Sequence, residues 1–156
     1  MKRCVACNGE AFVETTEPDE VTVAGRTFTG DVLAKRCATC GEVYVDAPAL
    51  ARFELAVATS IADAGDVNGE TFHYLRHALG FTGAALGELL AVPPETISRW
   101  ETGQQSVDRM AWATVATLAT ERAEGSTRTF ARLRAMQSPP KLANSVRLEV
   151  SPVGLR

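Results

Sequence analysis

The chain has 156 residues, 46% of them hydrophobic, and a formal net charge of −3, which allows one ordinary domain or two small ones with a buried core. No apolar run reaches the length of a membrane span, and the acidic balance excludes a chain that coats nucleic acid by bulk positive charge. The charge is uneven: residues 1–64 carry six Lys/Arg against ten Asp/Glu, residues 65–137 seven against eight, and residues 138–156 three against one. The middle segment is therefore near neutral, so any DNA affinity there rests on few contacts. Met1-Lys2-Arg3-Cys4 lacks the apolar run of a secretory signal, giving a cytoplasmic expectation.

Cys4-x-x-Cys7 and Cys37-x-x-Cys40 contain all four cysteines, each pair closely followed by glycine (Gly9, Gly41). Two such loops bring four thiolates to one tetrahedral ion, so a single structural Zn2+ per chain is expected on Cys4, Cys7, Cys37 and Cys40. Two disulfides or a redox C-x-x-C are the alternatives; a cytoplasmic chain with two matched pairs and no βαβ pattern favours neither. A segment this short folds with difficulty unless a metal holds it. Between the pairs, Val21–Val23 and Arg26–Thr29 alternate around Ala24-Gly25 and predict a β-hairpin. The acidic surplus points to a protein partner for this part.

Leu50, Phe53, Val57 and Ile61 give an apolar stripe from Pro48 to Ala64. It fits a helix packed within one domain and equally a connecting helix that also touches a partner. Residues 64–69 read as a hinge. Asn68 or Thr71 caps the next helix, with Phe72, Leu75 and Leu79 inward. His73 and His77 lie four apart on it, but with no further ligand nearby they read as a solvated face.

Leu86, Leu89 and Leu90 then recur at helical spacing, Ala91-Val92 interrupts, and Pro93-Pro94 restarts a short helix. On that helix Ile97, Trp100 and Glu101 share one face, while Glu95, Arg99 and Thr102 lie opposite. The first face packs on the preceding helix and the second can enter a major groove. Beyond the Gly103 stop, Asp108 opens a long helix to about Ala123, with Met110 or Ala111, Trp112, Val115, Leu118 and Ala119 apolar. Thr127–Gln137 is predicted helical with Phe130, Leu133 and Met136 inward. This apolar surface suits either a homodimer through the last helices or intramolecular packing. Residues 145–150 alternate like an edge strand.

Thr96-Ile97-Ser98-Arg99-Trp100-Glu101 followed by Gly103, with Leu79-Gly80-Phe81-Thr82 before it, resembles the phage-repressor-like (XRE) helix-turn-helix family. The resemblance implies a partly buried ion pair between Arg76 and Glu101. Gly83 stands where that family usually has a phosphate-contacting Gln, Ala91 replaces its turn glycine, and Pro93-Pro94 replaces hydroxyl or amide side chains. Arg99 is the expected base reader, since a guanidinium can grip guanine O6 and N7 together. Glu95 either accepts from a cytosine amino group or pairs with Arg99 at i, i+4. Thr82, Thr96, Ser98 and Gln104 are expected on the DNA backbone.

The order of these parts, Cys4, Cys7, Cys37, Cys40-Gly41-Glu42 and then Thr96–Gly103, resembles the YgiT/MqsA family of zinc-finger antitoxins. That likeness implies a dimeric DNA-binding repressor whose N-terminal half binds a small toxin, often a messenger-RNA endonuclease, and whose C-terminal half binds an operator in double-stranded DNA. The Asn which that family places at the position of Glu95 is missing, while the Arg at Arg99 is retained. The expected fold is mainly α with a small β zinc-binding unit: a zinc ribbon or knuckle at 1–46, a connecting helix and hinge at 47–68, a five-helix XRE-type domain at 69–137 and a tail at 138–156. Two other readings remain at this point: a stand-alone zinc-finger regulator, and an interaction module that has lost DNA binding. No Ser/His/Asp set, phosphate loop or open metal position points to an enzyme.

Overall fold

The computed structural model describes residues 3–139, 141 and 144–147. Strands β1 (Phe12–Val23) and β2 (Arg26–Cys37) form one antiparallel hairpin, paired from Phe12 opposite Cys37 to Val23 opposite Arg26. Its turn is Ala24-Gly25, with φ of 49° and 76°. Two successive left-handed residues match the right-handed twist of paired strands. The hairpin is much longer than the alternating residues predict. Pro18 and the acids of Glu14–Glu20 are poor strand formers, but β1 is a sheet edge, where a missing ladder donor is tolerated. A short third strand, β3 (Val43–Val45), pairs with Ala34–Arg36 and was not legible.

Helix α1 (Ala47–Ala64) starts where the Asp46 carboxylate accepts the Ala49 N–H at 2.8 Å and ends at Gly65, whose φ of 67° supplies a left-handed cap. It buries Ala49, Val57, Ala58 and Ile61, and its Phe53 ring lies against β2 over Gly30, where a Cβ would stand 2.7 Å from the ring. Helix α2 (Gly69–Ala78) opens on a reciprocal capping box between Asn68 and Thr71. Buried Thr71 also accepts the indole N–H of Trp112 at 3.2 Å and donates to the Asp66 carbonyl at 2.6 Å. Helices α3 (Gly83–Leu90), α4 (Pro94–Glu101), α5 (Arg109–Ala123) and α6 (Arg128–Gln137) follow.

Phe72, Leu75, Leu86, Ile97 and Val115 form the fully buried centre, with Trp100 edge-on to Phe72 at 5.5 Å. Val57, Ala58 and Ile61 of α1 and Val23 at the hairpin tip join the same cluster. The tip is also tied electrostatically: the Ala24 N–H donates to the Glu70 carboxylate at 2.8 Å, and Arg26 lies 3.6 Å from Asp66. The chain is thus mainly helical, with a three-stranded antiparallel sheet at its N-terminal end.

Helix α6 departs from the expected pattern. None of its residues is buried, Met136 is 72% exposed and Met110 of α5 is 74% exposed. Phe130 stacks on Phe81 at 6.1 Å and Leu133 is half-buried, so the apolar stripe meets only the margin of the core. Of the strand expected at 145–150, residues 145–147 are not in a strand and 148–150 lie outside the described residues. Among the described residues no helix is long and apolar enough to cross a membrane.

Candidate metal centre and nucleic-acid interface

Two turns of the same design present the cysteines. In the first, the Cys4 N–H donates to the Gly9 carbonyl at 2.8 Å and the Asn8 N–H to the Cys4 carbonyl at 2.9 Å. In the second, the Cys37 N–H donates to Glu42 at 2.8 Å and the Gly41 N–H to Cys37 at 2.9 Å. Each has a left-handed residue at its end, Asn8 (φ 58°) and Gly41 (φ 80°). Gly9 is where the turns meet: a Cβ there would stand 2.8 Å from the Thr39 hydroxyl.

The four sulfurs lie within 4.8 Å of one another, with Cys4–Cys40 and Cys7–Cys37 both at 3.6 Å. That is far beyond the roughly 2.05 Å of a disulfide. It is close to the edge, about 3.8 Å, of a tetrahedron with metal–sulfur arms of about 2.3 Å. All four cysteines are free, Cys4 and Cys37 buried, Cys7 and Cys40 exposed. The cluster can therefore hold a metal ion through four soft donors. The Tyr44 hydroxyl, 3.2 Å from the Cys4 sulfur, outweighs burial and brings that thiol down to about 6. Backbone N–H groups of Cys40 and Thr39 lower the Cys37 thiol in the same way. Sequence reasoning missed Tyr44, whose only signal was the alternation of Val43-Tyr44-Val45 after Cys40-Gly41-Glu42.

In the helical part, Thr82 caps α3 by accepting the Ala85 N–H at 3.1 Å. Ala91 ends α3 in the left-handed conformation, φ 56°, so the strain that an alanine brings to this turn is present. Gly87 lets the turn close: its Cβ would stand 2.7 Å from the Val92 carbonyl. Helix α4 then buries Ile97 and Trp100, while Glu95, Ser98, Arg99 and Thr102 are exposed and Thr96 is half-buried. Among the described residues no ion pair joins Glu95 to Arg99, so the guanidinium of Arg99 is not engaged by its neighbour one turn back. Gln104 is exposed in the following loop. A Cβ at Gly83 would meet only Ile97 at 3.8 Å; no crowding demands glycine there, and its side-chain contact is simply lacking.

Arg76 and Glu101 clamp α2 to α4. The Arg76 guanidinium donates through Nε to Glu101 Oε1 at 2.5 Å, through one terminal nitrogen to Oε2 at 3.1 Å, and through the other to the Phe81 carbonyl at 2.6 Å. His73, expected on a solvated face, adds its Nδ1 at 3.1 Å from Glu101 Oε2 and stacks over His77. Burial by itself would raise the Glu101 carboxyl, but the Arg76 and His73 bonds offset it and hold the group below its ordinary value. Gly69 permits the close approach of α2 and α4, because a Cβ there would stand 2.4 Å from the Trp100 carbonyl.

Residues 69–120, from the start of α2 through most of α5, match a family model described as a helix-turn-helix domain. This segment is a helix-turn-helix. No curated protein and no solved structure matches the chain. Within this segment α3 and α4 are the two short helices joined by the tight turn at Ala91-Val92.

Proposed function

We propose that this chain is a sequence-specific DNA-binding repressor, built around one structural Zn2+, and that it serves as the antitoxin of a type II toxin–antitoxin pair. The observation that carries the DNA reading is the division of α4: Ile97 and Trp100 are sealed in the core, and Arg99 stands exposed on the other side, within the matched segment. Arg99 reads a guanine, worth about 1–3 kcal/mol of discrimination. Thr96, Ser98 and Gln104, with Thr82 and the amides at the start of α3, set register on phosphates. Cys4, Cys7, Cys37 and Cys40 hold the ion, which folds the N-terminal turns without chemistry of its own.

The antitoxin reading is supported by the resemblance of the arrangement and by the acidic N-terminal half, −4 over residues 1–64, which suits a basic toxin. A homodimer is supported by the exposed methionines Met110 and Met136, which line a groove with Leu90, Val92 and Leu133. Two copies would place two α4 helices on half-sites about 10 base pairs apart. The test is selection from random-sequence duplexes with the zinc-loaded chain. Enrichment of a two-fold site with that spacing is the expected result. No enrichment at low salt would leave an interaction module that does not bind DNA.

A further inference from the structure

Cys4 is the most enclosed of the four sulfurs together with Cys37, at 1% exposure each. Water therefore cannot reach Cys4 to stabilise a thiolate. Backbone N–H groups serve both sulfurs from their own turns, Ala6 and Cys7 for Cys4 and Thr39 and Cys40 for Cys37. For Cys4 the nearest side-chain donor comes from another element: the Tyr44 hydroxyl of β3, 3.2 Å from the sulfur. The same oxygen accepts the Val5 N–H at 2.9 Å. Its acceptor side is thus used by the backbone of the first turn, and its single proton is free to point at Cys4. A metal-bound thiolate has no proton, so in the loaded chain the phenol is the donor. The ring is fixed edge-on against Phe12 with centroids 5.9 Å apart, and β3 is held to β2 through the Lys35–Tyr44 pair.

Resting on the zinc reading above, we propose that Tyr44 is the outer hydrogen-bond donor of the metal centre, a positioning residue that holds Cys4 in place and locks the first cysteine turn to the strand that follows the second. Outer partners of this kind orient a ligand and adjust its electron density, and losing one weakens metal binding by about 10–100-fold. Removing a hydrogen bond from a thiolate also raises its lone-pair energy, so charge transfer to a bound metal moves to longer wavelength.

Tyr44→Phe in the full-length chain keeps the ring and its Phe12 contact. Competition against a chromogenic chelator should show zinc held at least about 10-fold more weakly. The Co2+-substituted variant should keep a four-thiolate spectrum with its sulfur-to-cobalt band shifted to the red. Unchanged affinity and an unmoved band overturn the role of Tyr44. A wild-type chain that binds no ion, or whose cobalt spectrum shows fewer than four thiolates, overturns the zinc reading instead. If the variant does not fold, wild-type protein loaded with cadmium-113 decides: a slowly exchanging Tyr44 hydroxyl proton coupled to the metal supports the assignment, and its absence overturns it.

Discussion

Arg76→Ala tests the packing of α4 on α2. Arg76 and Glu101 are 13% and 14% exposed, and the guanidinium serves both oxygens of Glu101 and the Phe81 carbonyl. Removing one partner of a buried pair costs about 3–5 kcal/mol, because the other charge is left without compensation. Here His73 remains 3.1 Å from Glu101 and some water reaches the pair, so the cost is expected below that range, at about 2–3 kcal/mol. For a chain of this size each kcal/mol moves the midpoint by about 2–4 °C, giving a fall of about 4–12 °C by circular dichroism. The pH dependence carries a second sign. Glu101 is depressed in the native wild type, so its stabilisation is full above the ordinary carboxylate range and is lost as pH falls through the depressed value. Without Arg76, burial dominates and the carboxyl rises, so mild acidification should relieve the variant and narrow the gap to wild type. Arg76→Ala/Glu101→Gln should recover part of the loss at neutral pH. A cost under about 0.5 kcal/mol, the range of an ordinary surface substitution, would refute the clamp.

Ala91→Gly should stabilise the domain by about 1 kcal/mol, because glycine meets the left-handed φ of 56° without a Cβ penalty; a lower midpoint would contradict this account of the turn. Gly69→Ala should lower the midpoint markedly, since the new Cβ would meet the Trp100 carbonyl at 2.4 Å. A neutral result would mean that α2 and α4 separate at little cost. Cys37→Ser should lose metal and, by hydrogen exchange, the protection of the cysteine turns. It should also loosen the helical core, because Val23 of the hairpin is 7% exposed there and burial of such a side chain is worth about 1.5–3 kcal/mol. Unchanged protection of α2 and α5 would show the tip to be dispensable.

Local chemistry made much of this molecule legible. The cap expected at Asn68 or Thr71, the start at Asp108 and the stripe Phe72, Leu75, Leu79 act within a few residues. The structure puts the caps at Asn68, with Thr71 completing its capping box, and at Asp108, and buries the stripe. The four cysteines were readable because ligand spacing is itself local. What escaped was set by tertiary partners. Residues 12–20 read poorly as a strand, yet they pair along β2 at a tolerant edge. Tyr44 reaches the cysteine cluster from 40 residues beyond Cys4. His73 joins the Glu101 cluster because α4 is brought to it. The periodicity that places Met136 inward marks an apolar face without saying what covers it; α6 lies at the edge of the core and leaves Met136 exposed.

The central claim is that Arg99 reads sequence from the open side of α4. The most direct measurement is the ratio of dissociation constants on the selected duplex and on a scrambled one, for wild type and Arg99→Ala, at one fixed salt concentration. The expected result is a drop in that ratio of about 5–150-fold, the equivalent of about 1–3 kcal/mol, with the thermal midpoint and metal content unchanged. An unchanged ratio, with both affinities equally reduced, would place Arg99 on a phosphate and contradict its role as reader.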